Sequence, residues 1–208
     1  MRQLVLEISP PPEPSFEGFV AGRNEELLAK LKDIASGAAA ETVVYLWGER
    51  GSGRSHLLGA TMRAANESAK LAFADDVDRL TPGGQIALFN RINELRDVSA
   101  GHRGTLLAAG SAPPAQLALR EDLRTRLAWG LVYQVHPLSD PEKADYLRDE
   151  AARRGLSIAD EVVAYLLTHV RRDLPTLVAI LAHLDEYSLS RQRPLTLPLV
   201  REALAALA

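Results

Sequence analysis

The sequence predicts an α/β fold, in which a parallel sheet is sandwiched by helices, followed by a small helical domain. Short β-branched and apolar runs alternate with helical patterns up to about residue 137, and only helical patterns follow. Strands that alternate with helices form parallel sheets covered on both faces. A chain of 208 residues is long enough for one such core and a small second domain.

The elements of the α/β part follow from composition and periodicity. Asn24 can cap a helix, because its side chain can accept hydrogen bonds from free amides at a helix start. Buried strands are typically short runs of β-branched and apolar residues. The patterns predict helices over residues 24–37, 54–66, 85–98 and 119–127, and strands over residues 42–46, 71–74, 104–109 and 131–135.

The remaining patterns are all helical. Ser139 followed by Pro141 predicts a helix that ends near Gly155, and Ser157 is expected to open the next one. Two further helices are predicted over residues 174–188 and 197–207. We therefore expect a flexible, proline-rich tail over residues 1–15, an α/β domain over 16–137 and a helical domain over 138–208.

Composition excludes several classes of protein. The net charge of −3 argues against a dedicated DNA-binding domain, so we expect no strong direct DNA binding. The absence of cysteine excludes disulfides and cysteine–zinc sites. The sequence shows neither a signal peptide nor an apolar run of membrane-spanning length, so we expect a soluble cytoplasmic protein without a membrane partner.

A glycine-rich loop lies between a predicted strand and a predicted helix. Gly48, Gly53 and Ser55 match the phosphate-binding pattern G-x-x-x-x-G-K-[ST], and Gly51 adds a third glycine. Glycines let successive backbone amides turn toward one phosphate chain, and the helix N-terminus adds positive charge. The loop predicts a site for ADP or ATP, in which the Ser55 hydroxyl reaches Mg²⁺.

Arg54 stands where such loops carry lysine. Its guanidinium can pair with phosphate oxygens, but it is longer and planar, so it does not replace a lysine like for like. We therefore expect nucleotide binding with weak or absent hydrolysis. A glycine-rich turn without any ligand is the alternative.

Asp75 and Asp76 close a short apolar strand, which is the position of a Walker B pair. In such a pair one carboxylate holds Mg²⁺ through water and the next polarises the attacking water. The sequence predicts Asp75 and Ser55 as the residues toward Mg²⁺. A solvated turn remains the alternative.

Taken together, these features resemble the AAA+ P-loop ATPases of the DnaA branch, and within it the Hda family of DnaA regulators. Hda-like proteins have a loop that ends G-R-S-H-L-L, as residues 53–58 do here, which adds His56 to the nucleotide-binding set. The resemblance covers nearly the whole chain. It implies an AAA+ module followed by a helical lid.

Other nucleotide-site residues are implied by the resemblance alone. The segment F-E-G-F-V-A-G-R-N resembles the family's entry segment, which places Val20 and Gly22 near adenine. Arg172 matches the sensor 2 position. Ser111 lies in the sensor 1 region where the family usually has aspartate, which weakens the case for self-catalysis.

The resemblance also assigns an arginine finger. Arg126 is the matching residue, although the pattern itself does not distinguish it from Arg120 or Arg124. A finger neutralises transition-state charge on a neighbour's nucleotide. The implied partner is DnaA, whose bound ATP would be hydrolysed, so that replication initiation is regulated negatively.

The first residues suggest a second partner. Gln3, Leu4, Leu6 and Ile8 resemble the short motif with which Hda proteins bind the sliding clamp, the beta subunit of DNA polymerase. An extended peptide with apolar anchors fits a groove. An N-terminal edge strand is the alternative.

One spacing departs from the family pattern. Only about twenty residues separate Ser55 from Asp75, where family members fit a further strand and helix. We therefore expect the outermost strand to be missing, so that the strand before Asp75 lies at the edge of the sheet.

Three functions remain open at this point. The first is a clamp-bound activator of DnaA ATP hydrolysis, with little or no ATPase of its own. The second is a stand-alone AAA+ ATPase, such as a helicase loader or DNA-remodelling factor. The third is a nucleotide-free adaptor between DnaA and the clamp. A homodimer is a further possible partner state, and the sequence does not separate ADP from ATP as the working ligand.

Overall fold

The fold was analysed in a computed structural model, which describes residues 13–38, 40–66, 69–97, 104–171 and 173–206. The described residues form two compact units that meet in sequence between Pro137 and Leu138. Each unit has its own hydrophobic core.

The first unit contains a parallel sheet of four strands in the order β2-β3-β1-β4. The strands are β1 (Val43–Trp47), β2 (Leu71–Ala74), β3 (Thr105–Gly110) and β4 (Leu131–Gln134). In register, Tyr45 of β1 lies beside Ala108 of β3 and Val132 of β4. All six residues of the central strand β3 are buried, as its unbroken apolar composition predicts.

Helices cover both faces of this sheet. They are α1 (Glu25–Ala35), α2 (Arg54–Ala64), α3 (Pro82–Arg96) and α4 (Glu121–Ala128). Leu31 of α1 and Leu57 of α2 share a core cluster with Val44 and Leu46 of β1. The alternate β1 residues Val43 and Tyr45 share the other cluster with residues of α3 and α4. The predicted sandwich is therefore confirmed, since the period of two along β1 sends its side chains to opposite cores.

The strand that precedes Asp75 is an edge strand. Within the described residues, β2 pairs only with β3. Helix α2 ends at Ala64 and β2 begins at Leu71, so the connection is too short for another strand and helix. The prediction of a missing outer strand is confirmed.

The second unit is helical, with α5 (Asp140–Arg153), α6 (Asp160–His169), α7 (Leu174–Arg191) and α8 (Leu197–Ala206). Apolar residues of all four helices share one core, including Leu147, Leu166, Leu181 and Val200. Ser139 caps α5 in a capping box with Glu142, as the sequence predicts.

Two residues that were predicted to cap or open a helix, Ser157 and Asn24, do not do so. Helix α6 begins at Asp160 rather than after Ser157, because residues 156–159 are not helical and place Leu156 and Ile158 against the core. Asn24 precedes α1, but its side chain makes no capping bond. It is buried and bonds elsewhere, as described below.

No helix in the described part of the chain combines the length and the apolar character needed to cross a membrane.

Candidate functional site

The glycine-rich loop joins the carboxyl end of β1 to the first residue of α2. Gly51 has φ of +85° and Gly53 has φ of +100°. L-residues rarely adopt this left-handed region, because their Cβ atoms approach the carbonyl oxygen. These two glycines are therefore required by the loop conformation itself.

Gly48 is required for a different reason. A Cβ atom there would lie 2.5 Å from the carbonyl oxygen of Val135 and 2.9 Å from the Ser52 hydroxyl. The loop thus lies directly against the backbone that follows β4. The neighbouring Ser52 is buried, and its hydroxyl has no hydrogen-bond partner among the described residues.

Arg54 begins α2 at the end of the loop. Its Nη1 atom is buried and finds no hydrogen-bond partner in the part of the chain that the structure describes. Ser55, in contrast, is exposed. A buried donor without an acceptor is costly unless something supplies the acceptor. The unpartnered Arg54 donor and the two left-handed glycines therefore fit a phosphate group of a nucleotide.

A segment that precedes α1 runs along α2 and ends at this loop. Glu13 forms an ion pair with Arg63, Pro14 lies against Gly59, and the carbonyl oxygen of Ser15 lies 2.8 Å from Nε2 of His56. Residues 13–15, which the sequence assigns to the tail, therefore lie on the α/β unit. His56, predicted to bind nucleotide, has its ring nitrogen engaged with this segment.

Phe19 completes the same contact at the loop. A Cβ atom on Gly53 would lie 2.7 Å from the Phe19 ring, and the ring centroids of Phe19 and His56 are 5.9 Å apart. Phe19 was not predicted as a site residue. Its aromatic ring next to the loop's last glycine is a tertiary contact that spacing does not reveal.

Val20 and Gly22 lie in the turn that enters α1. Gly22 has φ of +48° and Val20 is half-buried. The buried Asn24 anchors this turn, because its side chain donates to the His136 carbonyl oxygen at 2.9 Å and accepts from the His136 amide at 2.8 Å. The entry turn is thus hydrogen-bonded to a residue that follows β4, and the loop lies against the same stretch of backbone at Gly48.

Asp75 and Asp76 follow β2 and make local contacts. The Asp76 amide donates to Oδ1 of Asp75 at 2.8 Å, and Asp76 pairs with Arg79 at 3.3 Å. Asp76 has φ of +45°. The Asp75 side chain is exposed at the carboxyl edge of the sheet, on the same edge as the glycine loop.

A third carboxylate, Asp78, makes the contacts that reach across this edge. The Ser111 amide donates to Oδ1 of Asp78 at 3.0 Å. Burial favours the neutral carboxyl, but hydrogen bonds from Ser111 and the positive charge of Arg54 outweigh it, so the pKa of Asp78 is lowered. Position 111 is a serine and carries no charge itself, but the Asp78 carboxylate places a negative charge next to it.

Tyr45 lies beneath this carboxylate. Its hydroxyl donates to the Ala112 carbonyl oxygen at 2.9 Å, and burial followed by the Asp78 charge raises its pKa. Asp78 is the last acid of the D-D-V-D run that follows β2, in which only Val77 is apolar and buried. The significance of Asp78 depends on its contact with β3, which the run does not predict.

Arg126 lies in the last turn of α4, between two aromatic side chains. Its guanidinium carbon is 4.1 Å from the Trp129 ring centroid and 5.4 Å from that of Phe89. Its Nη1 atom is buried without a hydrogen-bond partner among the described residues. Arg120 instead forms an ion pair with Asp122 at 2.7 Å. The structure therefore distinguishes Arg126 from Arg120, which the sequence pattern does not.

Two clefts meet at Arg126 and Trp129. One, of about 710 Å³, also contacts Phe89 and Arg120. The other, of about 450 Å³, extends to Thr42, Val43 and Leu131, which lie at the amino ends of β1 and β4. The glycine loop follows the carboxyl end of β1. Arg126 therefore lies at the amino ends of the strands and the loop lies at their carboxyl ends.

Some predicted site residues lie outside the described residues. These are Arg172 and the predicted clamp-binding set Gln3, Leu4, Leu6 and Ile8. In the ranges that are described, no group of three or more histidine, aspartate or glutamate side chains could hold a metal ion.

Comparison with known proteins relates both units to replication factors. Residues 140–204 match the family model described as Hda, lid domain. Domain III of the replication initiation protein DnaA from Thermotoga maritima has a TM-score of 0.72 and 20% identity, covering 96% of this chain and 99% of that chain. AMPPCP-bound DnaA from Aquifex aeolicus has a TM-score of 0.63 and 18% identity, covering 78% of this chain and 62% of that chain.

The same fold occurs in a motor protein. The RuvB Holliday junction branch migration motor of Thermotoga maritima has a TM-score of 0.65 and 14% identity, covering 93% of this chain and 72% of that chain. At these identities the solved structures establish the fold, and the lid match adds the family of the helical unit. Residues 140–204 therefore match the Hda lid domain, and the chain shares the fold of DnaA domain III and of the RuvB motor.

Proposed function

We propose that this chain regulates replication initiation by promoting hydrolysis of ATP bound to DnaA, with Arg126 as an arginine finger in trans. One observation carries the proposal. Arg126 lies at the edge of the sheet opposite the chain's own glycine loop, and β1 between them spans roughly 16 Å for its five residues. This separation supports a role for Arg126 toward a nucleotide on another protein rather than toward one in the chain's own loop.

The chemistry asked of Arg126 is electrostatic. A guanidinium next to a transferring phosphoryl group neutralises the charge that develops on its oxygens, and this is worth several orders of magnitude in rate. The Arg126 Nη1 donor has no partner among the described residues, so this N–H group is not committed to an acceptor there.

The chain's own loop would hold ADP or ATP. The backbone amides of residues 48–55 and the Arg54 guanidinium would bind the phosphates, while Ser55 and Asp75 would face Mg²⁺. A bound nucleotide would supply negative charge to the unpartnered Arg54 donor. We assign this nucleotide a structural role, with weak or absent hydrolysis.

The N-terminal hexapeptide would bind the sliding clamp. The support is its pattern Q-L-x-L-x-I, in which Leu4, Leu6 and Ile8 recur at every second residue, as on one side of an extended peptide, and Gln3 precedes them. Only four residues separate Ile8 from Glu13, which contacts α2. A clamp bound at the hexapeptide would therefore stay close to the α/β unit.

The test is hydrolysis of DnaA-bound ATP in the presence of clamp and DNA. The chain should accelerate hydrolysis, and Arg126→Ala should abolish the acceleration while the charge-matched control Arg120→Ala retains most of it. The double variant Gln3→Ala, Leu4→Ala should lose the dependence on clamp. An unchanged hydrolysis rate with the intact chain would overturn the proposal.

A stand-alone ATPase is the second candidate, and Asp78 is the observation that favours it. This carboxylate lies next to Ser111 and is influenced by the charge of Arg54. Asp78 therefore supplies an acid beside Ser111, at the carboxyl ends of the strands where the glycine loop also lies. Steady-state ATPase activity of the chain alone separates the candidates. Robust turnover without DnaA, lost in Asp78→Asn, would favour the second.

A further inference from the structure

We propose that Trp129 is a positioning residue, which holds the Arg126 guanidinium in place through its aromatic face. The proposal deepens the function proposed above and rests on it. Trp129 lies three residues after Arg126, so the two side chains leave the end of α4 on the same side. The guanidinium carbon of Arg126 is 4.1 Å from the Trp129 ring centroid.

An aromatic partner suits an arginine whose donors are needed elsewhere. A carboxylate partner would occupy the N–H groups of the guanidinium in its plane and cancel its charge. A ring face attracts the same cation while leaving those N–H groups unoccupied. The contacts of Arg126 follow this second pattern, since two rings lie near its guanidinium and its Nη1 atom has no hydrogen-bond partner in the described residues.

Burial does not account for Trp129. The side chain is 58% exposed, so most of the ring contributes nothing to the hydrophobic core. Its backbone, in contrast, is closely held. The Trp129 amide donates to the Arg126 carbonyl oxygen at 3.3 Å, and any Cβ atom on the following Gly130 would collide with the Val43 backbone. The backbone that carries the ring is thus held against the amino end of β1, and the ring lines both clefts.

A second cation contacts the same ring. The guanidinium carbon of Arg96, at the end of α3, is 4.8 Å from the Trp129 centroid. Two positive groups therefore lie next to one exposed ring. Loss of the ring would therefore release both side chains.

The first test measures the order of the Arg126 side chain without any partner. In the full chain labelled with ¹⁵N, the Nε–Hε signal of Arg126 is assigned by its absence in Arg126→Lys. Trp129→Leu should move its order parameter to values below about 0.6, which mark flexible groups. Trp129→Phe should restore order, because it keeps a ring face that leucine lacks.

An unchanged Arg126 order parameter in Trp129→Leu would overturn the proposal. Failure of phenylalanine to restore order would also overturn it, since shape rather than the aromatic face would then be responsible. If Trp129→Leu does not fold, Trp129→Gln replaces it as a variant that suits an exposed position and has no ring. Ile86→Ala, at another exposed apolar side chain of the same unit, is the matched control and should leave Arg126 ordered.

The second test is stimulation of DnaA ATP hydrolysis. Trp129→Leu should lower it by about three- to tenfold, the effect of losing a partly desolvated cation–π contact, and Trp129→Phe should recover most of it. If the intact chain does not stimulate DnaA, the proposed function fails and the order parameters still decide the role of Trp129. If it stimulates and Trp129→Leu is as active as the intact chain, the positioning role is overturned alone.

Discussion

At the scale of single residues, the glycine loop shows two separate demands on its glycines. Gly51 has a left-handed φ but no atom within 4 Å of a prospective Cβ, whereas Gly53 has both a left-handed φ and the Phe19 ring at 2.7 Å. Gly83, near the start of α3, has neither constraint. The three positions therefore form a graded series.

We expect Gly53→Ala to be the most damaging substitution in this series. Gly51→Ala should destabilise by about 1 kcal/mol through backbone strain alone, and Gly53→Ala by more, since Phe19 must also move. Gly83→Ala should be neutral or slightly stabilising, because alanine is favoured in a helix. Urea unfolding of the three variants measures the order, and equal losses for Gly51→Ala and Gly53→Ala would contradict the Phe19 contact.

Asp78 gives a prediction in the pH dependence of stability. Its folded-state pKa is lowered below the ordinary 3.8, so charged Asp78 stabilises the fold above that pH. This contribution is lost as the pH falls through the folded-state pKa. Asp78→Asn should therefore cost about 1 kcal/mol at neutral pH and little in strong acid.

Unfolding of both proteins at neutral pH and well below 3.8 checks this expectation. Asp75→Asn is the control, because the Asp75 side chain is exposed at the same edge of the sheet. A stability difference for Asp78→Asn that persists unchanged in acid would mean that the carboxylate charge does not stabilise the fold.

At the scale of elements, the helical unit distinguishes a real cap from an apparent one. Ser139 accepts from the Glu142 amide and Glu142 reaches back to the Ser139 amide, whereas Ser157 is exposed before the irregular residues that lead to α6. Both serines were predicted to open a helix, although only Ser139 is followed by a proline two residues later. Only the first is placed at a helix start.

Ser139→Ala should destabilise the helical unit by about 1 kcal/mol, and Ser157→Ala should have no measurable effect. The physical reason is that only Ser139 satisfies an amide that the helix leaves free. Thermal unfolding of the two variants provides the comparison. A similar loss in both would show that the helix begins earlier than the structure places it.

The edge strand β2 is the other result at this scale. Its position was predicted by comparing the short spacing with the family that the sequence resembles, because about twenty residues cannot hold the additional strand and helix that family members have there. A strand that pairs on one side leaves backbone groups free, and such edges are commonly protected by shortness. With four residues, β2 follows this rule.

At the scale of the whole molecule, the test that separates the three functions is nucleotide binding. If the loop binds ADP, a concentration 100 times the Kd should stabilise the chain by roughly 2.7 kcal/mol. Arg54→Ala should weaken this stabilisation, since it removes the unpartnered donor that fits a phosphate. Thermal unfolding with and without ADP and Mg²⁺ measures it.

Exposed Arg63 lies on the same helix and serves as the charge-matched control, so Arg63→Ala should keep the ADP effect. No stabilisation of the intact chain by either ADP or ATP would favour the nucleotide-free adaptor. Stabilisation by ATP together with turnover would favour the stand-alone ATPase.

Periodicity and turn chemistry determined the fold class, the strands and the order of the helices, and the family resemblance together with a short spacing predicted the missing edge strand. These depend on neighbours in sequence, and the nearly unbroken burial of β1 and β3 follows directly from their continuous apolar runs. The glycine loop was found in the same way. The family resemblance added Arg126, which spacing did not distinguish from Arg120.

Tertiary structure decided which side chains meet. Phe19 contacts Gly53, which is 34 residues away in sequence. Asp78, which follows β2, accepts a hydrogen bond from Ser111, which follows the neighbouring strand β3. Asn24 bonds to His136 rather than capping α1. It also placed Arg126 and the loop at opposite edges of one sheet. Such contacts arise because a parallel sheet brings distant residues to a common edge, and no local pattern records which residues arrive there.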